Sequence, residues 1–235
     1  MKFSFIVPTL NEAEGIAATL TMLQAWRALG HEVIVVDGGS LDATRSLARP
    51  LADRVKLAPP GRARQMNAGA ATAQGEVLVF LHADTRLPAQ ALEAMRTGLR
   101  SHLWGRFDVA IAGRARVLRL VAALMNLRSR LTGIATGDQA IFATRAAFAA
   151  VGGYPEQPLM EDIELSKRLK RLGPPACLRD RAVTSGRRWE RYGPWRTVLL
   201  MWRLRFDYWR GAPAERLAAR YHSPVGAAAA GRAGR

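Results

Sequence analysis

FSFIVPTLNE (residues 3–12), EVIVVDGGS (32–40) and EVLVFLHAD (76–84) are three short apolar runs that each end in acidic or amide residues. Runs rich in Val, Ile and Phe are typical of buried strands. Between the first two runs, residues 14–29 place apolar side chains at helical spacing and end at Gly30. Strands that alternate with helices in this way predict a parallel sheet with right-handed crossovers. Because the carboxyl ends of parallel strands open onto one crevice, we expect the acids that follow them to converge.

The same alternation continues along the chain and predicts an α/β fold with a mostly parallel central sheet flanked by helices. Further strands are predicted at Arg54–Ala58, Arg106–Ile111 and Gln139–Ala143. Further helices are predicted at 42–52, 62–73, 88–99, 117–131, 160–172 and 195–209.

Composition bounds the class of protein. The chain has 235 residues, 49% of them hydrophobic, which suits a globular domain. Its net charge is +16, so its surface is expected to attract phosphates and anionic membranes. Cys177 is the single cysteine, which excludes an internal disulfide and favours a reducing compartment. Neither a signal peptide nor a membrane-spanning run is predicted, and a cytoplasmic protein is expected, with contact to the inner face of the membrane as an option.

Polar residues at the first two strand ends are candidates for holding a nucleotide. Asp37 and Gly38 lie where a parallel sheet would place a base and ribose. Glycine there allows close backbone approach, although Asp-Gly is also a common turn. Pro8, Thr9 and Glu12 follow the first run at the same edge. Thr9 and Glu12 are equally suited to capping the helix that follows.

Asp84 ends the third apolar run, where a carboxylate is costly unless it is solvated or used. A departing diphosphate needs a divalent cation, and a strand-end carboxylate can hold Mg²⁺ or Mn²⁺ with few protein ligands. His82 is expected to point the same way and is a candidate second ligand, with an ordinary strand-end histidine as the alternative. A phosphatase with an aspartyl nucleophile is excluded, because that chemistry needs an acid where His82 stands.

Basic residues at the start of a predicted helix are candidates for phosphate contacts. Arg62 and Arg64 open a helix that contains Asn67, and helix N-terminal amides together with guanidinium groups favour phosphate. Each arginine is weak evidence by itself, because all but four of the 35 basic residues are arginine.

Glu161 and Asp162 lie in the first turn of a predicted helix, where the helix dipole alone favours acids. Two adjacent acids also suit a general base that deprotonates an acceptor hydroxyl. Gly137 and Asp138 precede a predicted strand and are expected to meet this pair from the opposite side.

Taken in order, these motifs resemble those of glycosyltransferase family 2, with its GT-A fold. The resemblance covers roughly residues 2–210 and rests on Pro8–Glu12, Asp37–Ser40, Asp84, Gly137–Asp138 and Glu161–Asp162. Finer features are similar to the bacterial radical-SAM/selenodomain-associated subgroup, which is linked to arsenosugar biosynthesis. They are GRARQMN (61–67), TGIATGDQ (132–139), MEDIELSKR (160–168) and TSGRRW (184–189).

The resemblance implies an inverting transfer from a nucleoside-diphosphate sugar. It implies that Asp37 contacts uracil or another base, that Asp84 binds metal and diphosphate, and that Asp162 is the base. Arg188 and Trp189 resemble the end of a signature that lies near the acceptor in processive members. The chain departs from the family pattern twice. His82 replaces the first acid of an acid-x-acid metal motif, and the Gln that opens the Arg-Trp signature is absent, which argues against a polymerase.

We therefore predict one GT-A (Rossmann-like) domain over residues 1–222 with a disordered tail at 223–235. Its parts are a nucleotide-binding half at 1–100, an acceptor and catalytic half at 101–192, and C-terminal amphipathic helices at 193–222. The last of these carries an aromatic stripe from Trp195 to Trp209. Aromatics at helical spacing are usually core residues, and the alternative is an interfacial helix that meets anionic lipid.

The hypothesis is a metal-dependent glycosyltransferase that uses Mn²⁺ or Mg²⁺ and acts on an unidentified small-molecule or lipid-linked acceptor. One alternative is a non-catalytic protein that only binds a nucleotide sugar. A nucleotidyltransferase would need a Gly-rich basic loop after the first strand, where this chain has PTLNE (8–12). Specific nucleic-acid binding is not expected, because the arginines are dispersed and many alternate with core positions.

Overall fold

The computed structural model describes residues 1–222. The predicted disordered tail at 223–235 lies outside the described residues.

Eight strands of the described chain form one sheet in the order β3-β2-β1-β4-β7-β6-β8-β5. Their bounds are β1 (Phe3–Thr9), β2 (Glu32–Asp37), β3 (Arg54–Leu57), β4 (Val77–Phe80), β5 (Thr85–Arg86), β6 (Trp104–Ile111), β7 (Phe142–Thr144) and β8 (Ala176–Thr184). β1 to β4 are parallel to one another, β7 runs antiparallel between β4 and β6, and β8 is parallel to β6.

Helices connect these strands and continue beyond them. They are α1 (Ile16–Ala28), α2 (Thr44–Ala48), α3 (Arg62–Ala70), α4 (Ala91–Gly98), α5 (Val117–Thr132), α6 (Arg145–Ala150), α7 (Glu161–Lys170), α8 (Arg187–Tyr192), α9 (Pro194–Trp209) and α10 (Ala214–His222). Short 3₁₀ helices occur at Arg49–Leu51 and Gly137–Gln139. None of the helices in residues 1–222 has the length and apolar character needed to cross a bilayer.

The predicted α/β fold with a mostly parallel sheet is confirmed. The strand register places the carboxyl ends of β1 and β2 side by side, with Thr9 opposite Asp37. The predicted strand at 139–143 is displaced, because Gln139 ends a 3₁₀ turn and the strand begins at Phe142. Two strands, β5 and β8, were not predicted. β8 has the sequence ACLRDRAVT, and its central charges hide the apolar pattern that identifies buried strands.

The sheet has a core on each face because side chains alternate along a strand. Phe5 and Val7 of β1 pack in one cluster with Leu20 of α1. Ile6 packs in the other cluster with Met66 of α3 and Leu165 of α7. Helix α3 approaches β1 closely at Gly69, where an added Cβ would lie 2.5 Å from Ile6 Cγ2.

The core interpretation of the aromatic stripe is wrong. Helix α9 buries Thr197 and Leu204, and its stripe faces solvent instead. The exposed fraction is 65% for Trp195, 64% for Trp202 and 79% for Trp209. Leu204 packs in a small separate cluster with Ile163 and Leu217, because α7 and α10 cover only that side of α9.

Helix α5 also exposes apolar side chains along one face. The exposed leucines are Leu120, Leu124, Leu127 and Leu131, at spacings of three or four residues that place them on one side of a helix. Helices α5 and α9 contact each other, and both contribute residues to one cleft.

Candidate active site

A cleft of about 610 Å³ lies at the carboxyl ends of β1 and β4 and is closed by residues of α5, α7, α8 and α9. Its walls bring together five acids that are distant in the sequence: Glu12, Asp84, Asp138, Glu161 and Asp162. All eight of the predicted catalytic, metal and acceptor-side residues lie here, including His82, Gly137, Arg188 and Trp189. Arg62 is the predicted phosphate-binding arginine that lines the cleft.

His82 and Asp138 form a pair across the cleft, with His82 Nδ1 3.3 Å from Asp138 Oδ1. Although partial burial alone would raise the pKa of the Asp138 carboxyl, the hydrogen bond and charge of His82 and the charge of Arg62 hold that pKa below its ordinary value. Nε2 of His82 packs against Gly137, where an added Cβ would lie 2.3 Å away. His82 therefore pairs through Nδ1 with Asp138 and packs through Nε2 beside Gly137.

Asp84 shares a guanidinium with Glu12. Arg187 Nη2 lies 2.9 Å from Glu12 Oε2 and 3.5 Å from Asp84 Oδ2. Residue Arg187 was not predicted as a site residue, although its neighbours Arg188 and Trp189 were. The sequence signal was present in RRW (187–189), but nothing in the sequence shows which of the two arginines reaches across to β1 and β4.

The start of α7 carries the two candidate catalytic acids into the cleft. Met160 precedes the helix with a positive φ of 65°, and such left-handed non-glycine residues are found at functional sites. Asp162 is held from two sides, because Oδ2 accepts from Gly137 N at 2.9 Å and Oδ1 accepts from Ile163 N at 2.7 Å. Glu161 is 7% exposed, and burial, followed by the charge of Asp162, raises the pKa of its carboxyl.

The acceptor-side arginine of the predicted signature packs on aromatic rings. Arg188 lies 3.7 Å from the ring centre of Tyr221 and donates from Nη2 to the Tyr221 carbonyl at 3.2 Å. Arg128 and Arg205 also line the cleft. Neither was predicted from the sequence, because each appears there as an ordinary basic residue of an amphipathic helix.

Asp37 lies at the same edge of the sheet but does not line the cleft. Its carboxylate is fully buried and accepts hydrogen bonds from Ser40, Gly39 and Thr9. Ser40 Oγ in turn accepts from Asn11 N at 2.8 Å. Asp37 therefore supports the turn that presents Asn11 and Glu12.

The other candidates for the nucleotide side are also outside the cleft lining. Pro8 is buried in β1, and Gly38 lies against the amide of Gln65. The side-chain amide of Asn67 donates to the Tyr154 carbonyl at 2.8 Å and accepts from Tyr154 N at 3.0 Å. Arg64 pairs with Glu156 at 3.5 Å on the surface. These side chains shape or flank the donor edge in this structure without entering the cleft.

The donor set for a divalent cation is sparse. Within residues 1–222, no group of three or more His, Cys, Asp or Glu side chains is arranged to hold an ion. Asp84 has a carboxylate that is 30% exposed in the cleft. One or two carboxylates together with phosphate oxygens and waters are enough for Mg²⁺ in phosphate-transfer sites. The residues therefore fit a cation that is held largely by its diphosphate ligand, and they do not fit a cage made of protein groups alone.

Residues 4–119 match the family model of Glycosyl transferase family 2. An uncharacterized glycosyltransferase of Mycobacterium tuberculosis (strain CDC 1551 / Oshkosh) is 35% identical over 163 residues, which cover 64% of this chain and 62% of the relative. The chain thus spans about three fifths of the length of that curated relative.

Two solved structures have a similar fold. S. aureus TarS 1–349 in complex with UDP is 21% identical, with a TM-score of 0.61 over 79% of this chain and 60% of that chain. Glucosyl-3-phosphoglycerate synthase from Mycobacterium tuberculosis in complex with Mg²⁺ and UDP is 22% identical, with a TM-score of 0.58 over 78% of this chain and 70% of that chain. The fold is GT-A, and the match to the family 2 model covers residues 4–119, just under half of the chain.

Proposed function

We propose that this chain is an inverting glycosyltransferase that moves a sugar from a nucleoside-diphosphate sugar to an acceptor hydroxyl. The observation that carries this proposal is the single cleft that joins Asp84 at the end of the parallel strands to Asp162 at the start of α7. Structures of the same fold in complex with UDP support a uridine diphosphate donor. The match of residues 4–119 to a family of transferases supports the reaction class.

At the donor end, Asp84 would hold Mg²⁺ or Mn²⁺ together with the diphosphate. When bound, the cation supplies positive charge that stabilises the leaving diphosphate. Arg187 offers a second positive charge at the same position and is already placed between Asp84 and Glu12. We propose that Asp37, with Pro8, Thr9 and Gly38, forms the base-binding edge, which requires the turn at 37–40 to open toward the donor.

At the acceptor end, Asp162 takes the proton of the attacking hydroxyl. The two backbone N–H groups that Asp162 accepts from hold its carboxylate in place. Burial and the charge of Asp162 raise the pKa of the Glu161 carboxyl, which favours its protonated form. One base beside the sugar carbon suits a single displacement, which inverts the anomeric configuration.

The change of Asp162 to Asn tests the base. We expect turnover to fall about 10²–10⁴-fold, because general-base assistance has that magnitude, while binding of UDP is kept. Asn retains an acceptor oxygen for Gly137 N, so the loop geometry should survive. Turnover is measured as donor-dependent product formation, and binding as the UDP-induced rise of the unfolding midpoint.

Glu164→Gln is the matched control for that substitution. Glu164 lies on the same helix and pairs with Lys167 and Arg168 at the surface. Its neutralisation should leave turnover within about a factor of two, since surface ion pairs contribute little. Turnover by Asp162→Asn equal to that of Glu164→Gln would rule out Asp162 as the base.

A second candidate function is nucleotide-sugar binding without transfer. It is favoured by His82, which stands where the family pattern has an acid and pairs with Asp138, and by Arg187, which contacts the Asp84 carboxylate. UDP binding in the presence of Mn²⁺, with neither donor hydrolysis nor transfer at any metal concentration, would support this candidate over the enzyme.

The surface of α5 and α9 bears on where the acceptor is met. The exposed faces of α5 and α9 carry apolar side chains, and α5 contains only basic charges. Such a surface is complementary to anionic lipid head groups and favours a peripheral position at the inner face of the membrane. The subgroup resemblance favours a small-molecule acceptor of the arsenosugar type instead.

A further inference from the structure

The acceptor end of the cleft contains two arginines, Arg128 and Arg205, that lie near one acid, Asp162, but form no ion pair with a described residue. Arg128, on α5, has Nε and Nη2 fully buried, and neither atom has a hydrogen-bond partner within residues 1–222. Arg205, on α9, lines the same cleft, and the described residues offer it no ion pair. Leaving buried guanidinium donors unpaired is costly, so a ligand that pairs them would be bound favourably.

The two guanidinium groups repel each other across this end of the cleft. Burial, followed by the charge of Arg205, lowers the pKa of Arg128 to about 10. Burial also lowers the pKa of Arg205. Nearby Arg106 adds to the positive charge, and its own partner Asp108 is shared with Arg130. The local excess of positive charge is typical of a site that receives an oxyanion.

The position of these arginines relative to the base identifies the ligand that fits. Asp162 interacts electrostatically with both Arg128 and Arg205, so an anion bound there lies close to the proposed base. The donor diphosphate belongs instead beside Asp84 and Arg187. The walls next to the arginines are apolar and include Val121, Met125 and Trp202.

We propose that Arg128 and Arg205 form a subsite for a phosphoryl group of the acceptor, with apolar contacts to the remainder of that molecule. This inference rests on the proposed glycosyl transfer and specifies the class of its acceptor. Two guanidinium groups match the charge and the multiple oxygens of a phosphoryl dianion. The same chemistry is offered by a soluble phosphomonoester and by a lipid phosphate.

The test uses the full chain and inorganic phosphate at constant ionic strength. We expect phosphate to raise the unfolding midpoint of the wild-type protein. Arg128→Gln and Arg205→Gln should each weaken phosphate binding by about tenfold or more, since each loses charge-assisted hydrogen bonds. Arg203→Gln is the matched control, because Arg203 is exposed on the same helix and does not line the cleft.

Without phosphate, Arg128→Gln should unfold at or above the wild-type midpoint, because it removes an unpaired charge. The proposal would be overturned if both cleft variants bound phosphate as tightly as Arg203→Gln does. If one cleft variant fails to fold, the other still decides the question, and Arg128→Lys keeps the charge while removing the planar donor fork.

UDP with Mn²⁺ separates the subsite from the donor site. Its effect on the midpoint should be unchanged in Arg128→Gln and Arg205→Gln. Loss of the UDP effect together with the phosphate effect would assign these arginines to the donor diphosphate and overturn the proposal. A wild-type protein that ignores UDP but binds phosphate through Arg128 would keep the subsite and reject the transferase function.

Two competitors identify the source of the phosphoryl group. Glycerol 3-phosphate and monomeric dihexanoyl phosphatidic acid carry the same group without and with acyl chains. The subsite is supported if either compound competes with phosphate in the wild type but not in Arg128→Gln. A lipid acceptor is assigned if the wild type prefers the lipid and Trp202→Ala removes that preference. Failure of both compounds to compete with phosphate would overturn the proposal.

Discussion

Arg187 connects three acids at the donor end of the cleft and offsets part of their negative charge. The guanidinium contacts Glu12, Asp84 and, at 3.8 Å, Glu14. The hydrogen bond to Glu12 is the main reason that the pKa of Arg187 is raised. A cation that binds Asp84 has to share this carboxylate with Arg187 or displace it, so the two positive groups compete until a diphosphate supplies more negative charge.

The change of Arg187 to Gln should therefore strengthen the binding of Mn²⁺ in the absence of a donor. Since partly exposed ion pairs contribute up to about 1 kcal/mol, we expect roughly a two- to fivefold lower Mn²⁺ midpoint. Mn²⁺ binding can be followed by electron paramagnetic resonance of the free ion. Arg179→Gln, on β8 and outside the cleft lining, makes the same change of charge and should bind Mn²⁺ as the wild type does. Equal Mn²⁺ affinity in all three proteins would show that Arg187 does not compete for Asp84.

Glu161 predicts a pH dependence of stability. Its carboxyl has a raised pKa in the folded chain, so folding favours its protonated form. Between the unfolded value near 4.5 and the higher folded value, the folded state binds more protons, and stability falls as pH rises. Glu161→Gln removes this penalty, so its gain in unfolding free energy over wild type should be largest at neutral pH and shrink toward pH 4.5.

Urea titrations at a series of pH values measure that difference. Glu164→Gln neutralises a surface acid of the same helix and is the control. The difference in unfolding free energy between Glu164→Gln and wild type should not increase with pH. If the difference in unfolding free energy between Glu161→Gln and wild type stayed constant over the pH series, the Glu161 carboxyl would have its ordinary pKa in the folded protein.

At the scale of elements, α9 exposes its wide apolar face, whereas a core helix buries that face. The narrow face that contains Leu204 packs on α7 and α10, while five large apolar side chains face outward: Trp195, Leu199, Trp202, Phe206 and Trp209. The acid of this helix, Asp207, pairs with Arg220 at 2.6 Å. What remains outward on α9 is apolar or basic, and α5 presents the same combination.

We expect the protein to float with phosphatidylcholine vesicles that contain phosphatidylglycerol and to remain in solution with phosphatidylcholine alone. Replacing Trp195 and Trp209 by Glu should weaken binding roughly tenfold or more, through lost apolar burial and added repulsion. Leu41→Glu is the control, because Leu41 is 96% exposed elsewhere on the chain. A wild-type protein that stays in the soluble fraction with both vesicle types would exclude the membrane contact.

At the scale of the whole molecule, one sheet carries both ends of the cleft. β1 and β4 contribute the donor end, and the longer β6 and β8 extend the sheet toward the acceptor end. A ligand that bridges the cleft therefore contacts structure from the first strand to the last helices. Its binding should stabilise the whole fold and not a local segment.

A nucleotide donor should consequently raise global stability. UDP or its sugar conjugate at about 100 times its dissociation constant adds about 2.7 kcal/mol to the unfolding free energy. Thermal unfolding with a panel of nucleotide sugars, with and without Mn²⁺, would identify the donor. Asp84→Asn should abolish the additional effect of Mn²⁺ while it leaves the unliganded midpoint near the wild-type value. Absence of a shift with every nucleotide would contradict the donor hypothesis.

The sequence by itself determined the parallel strands and the α/β class and indicated that Asp84 lies at their open edge, because strand periodicity is local and parallel strands share that edge. It also predicted that Asp37 and Asp162 converge with Asp84, but of these two only Asp162 lines the cleft with Asp84. Only the tertiary structure decided which helix faces are covered, since the stripe of α9 has the same pattern whether or not a partner packs on it. Burial of Asp37 in its own turn, the reach of Arg187 and the unpaired Arg128 depend on contacts between distant segments. A local pattern does not contain those contacts.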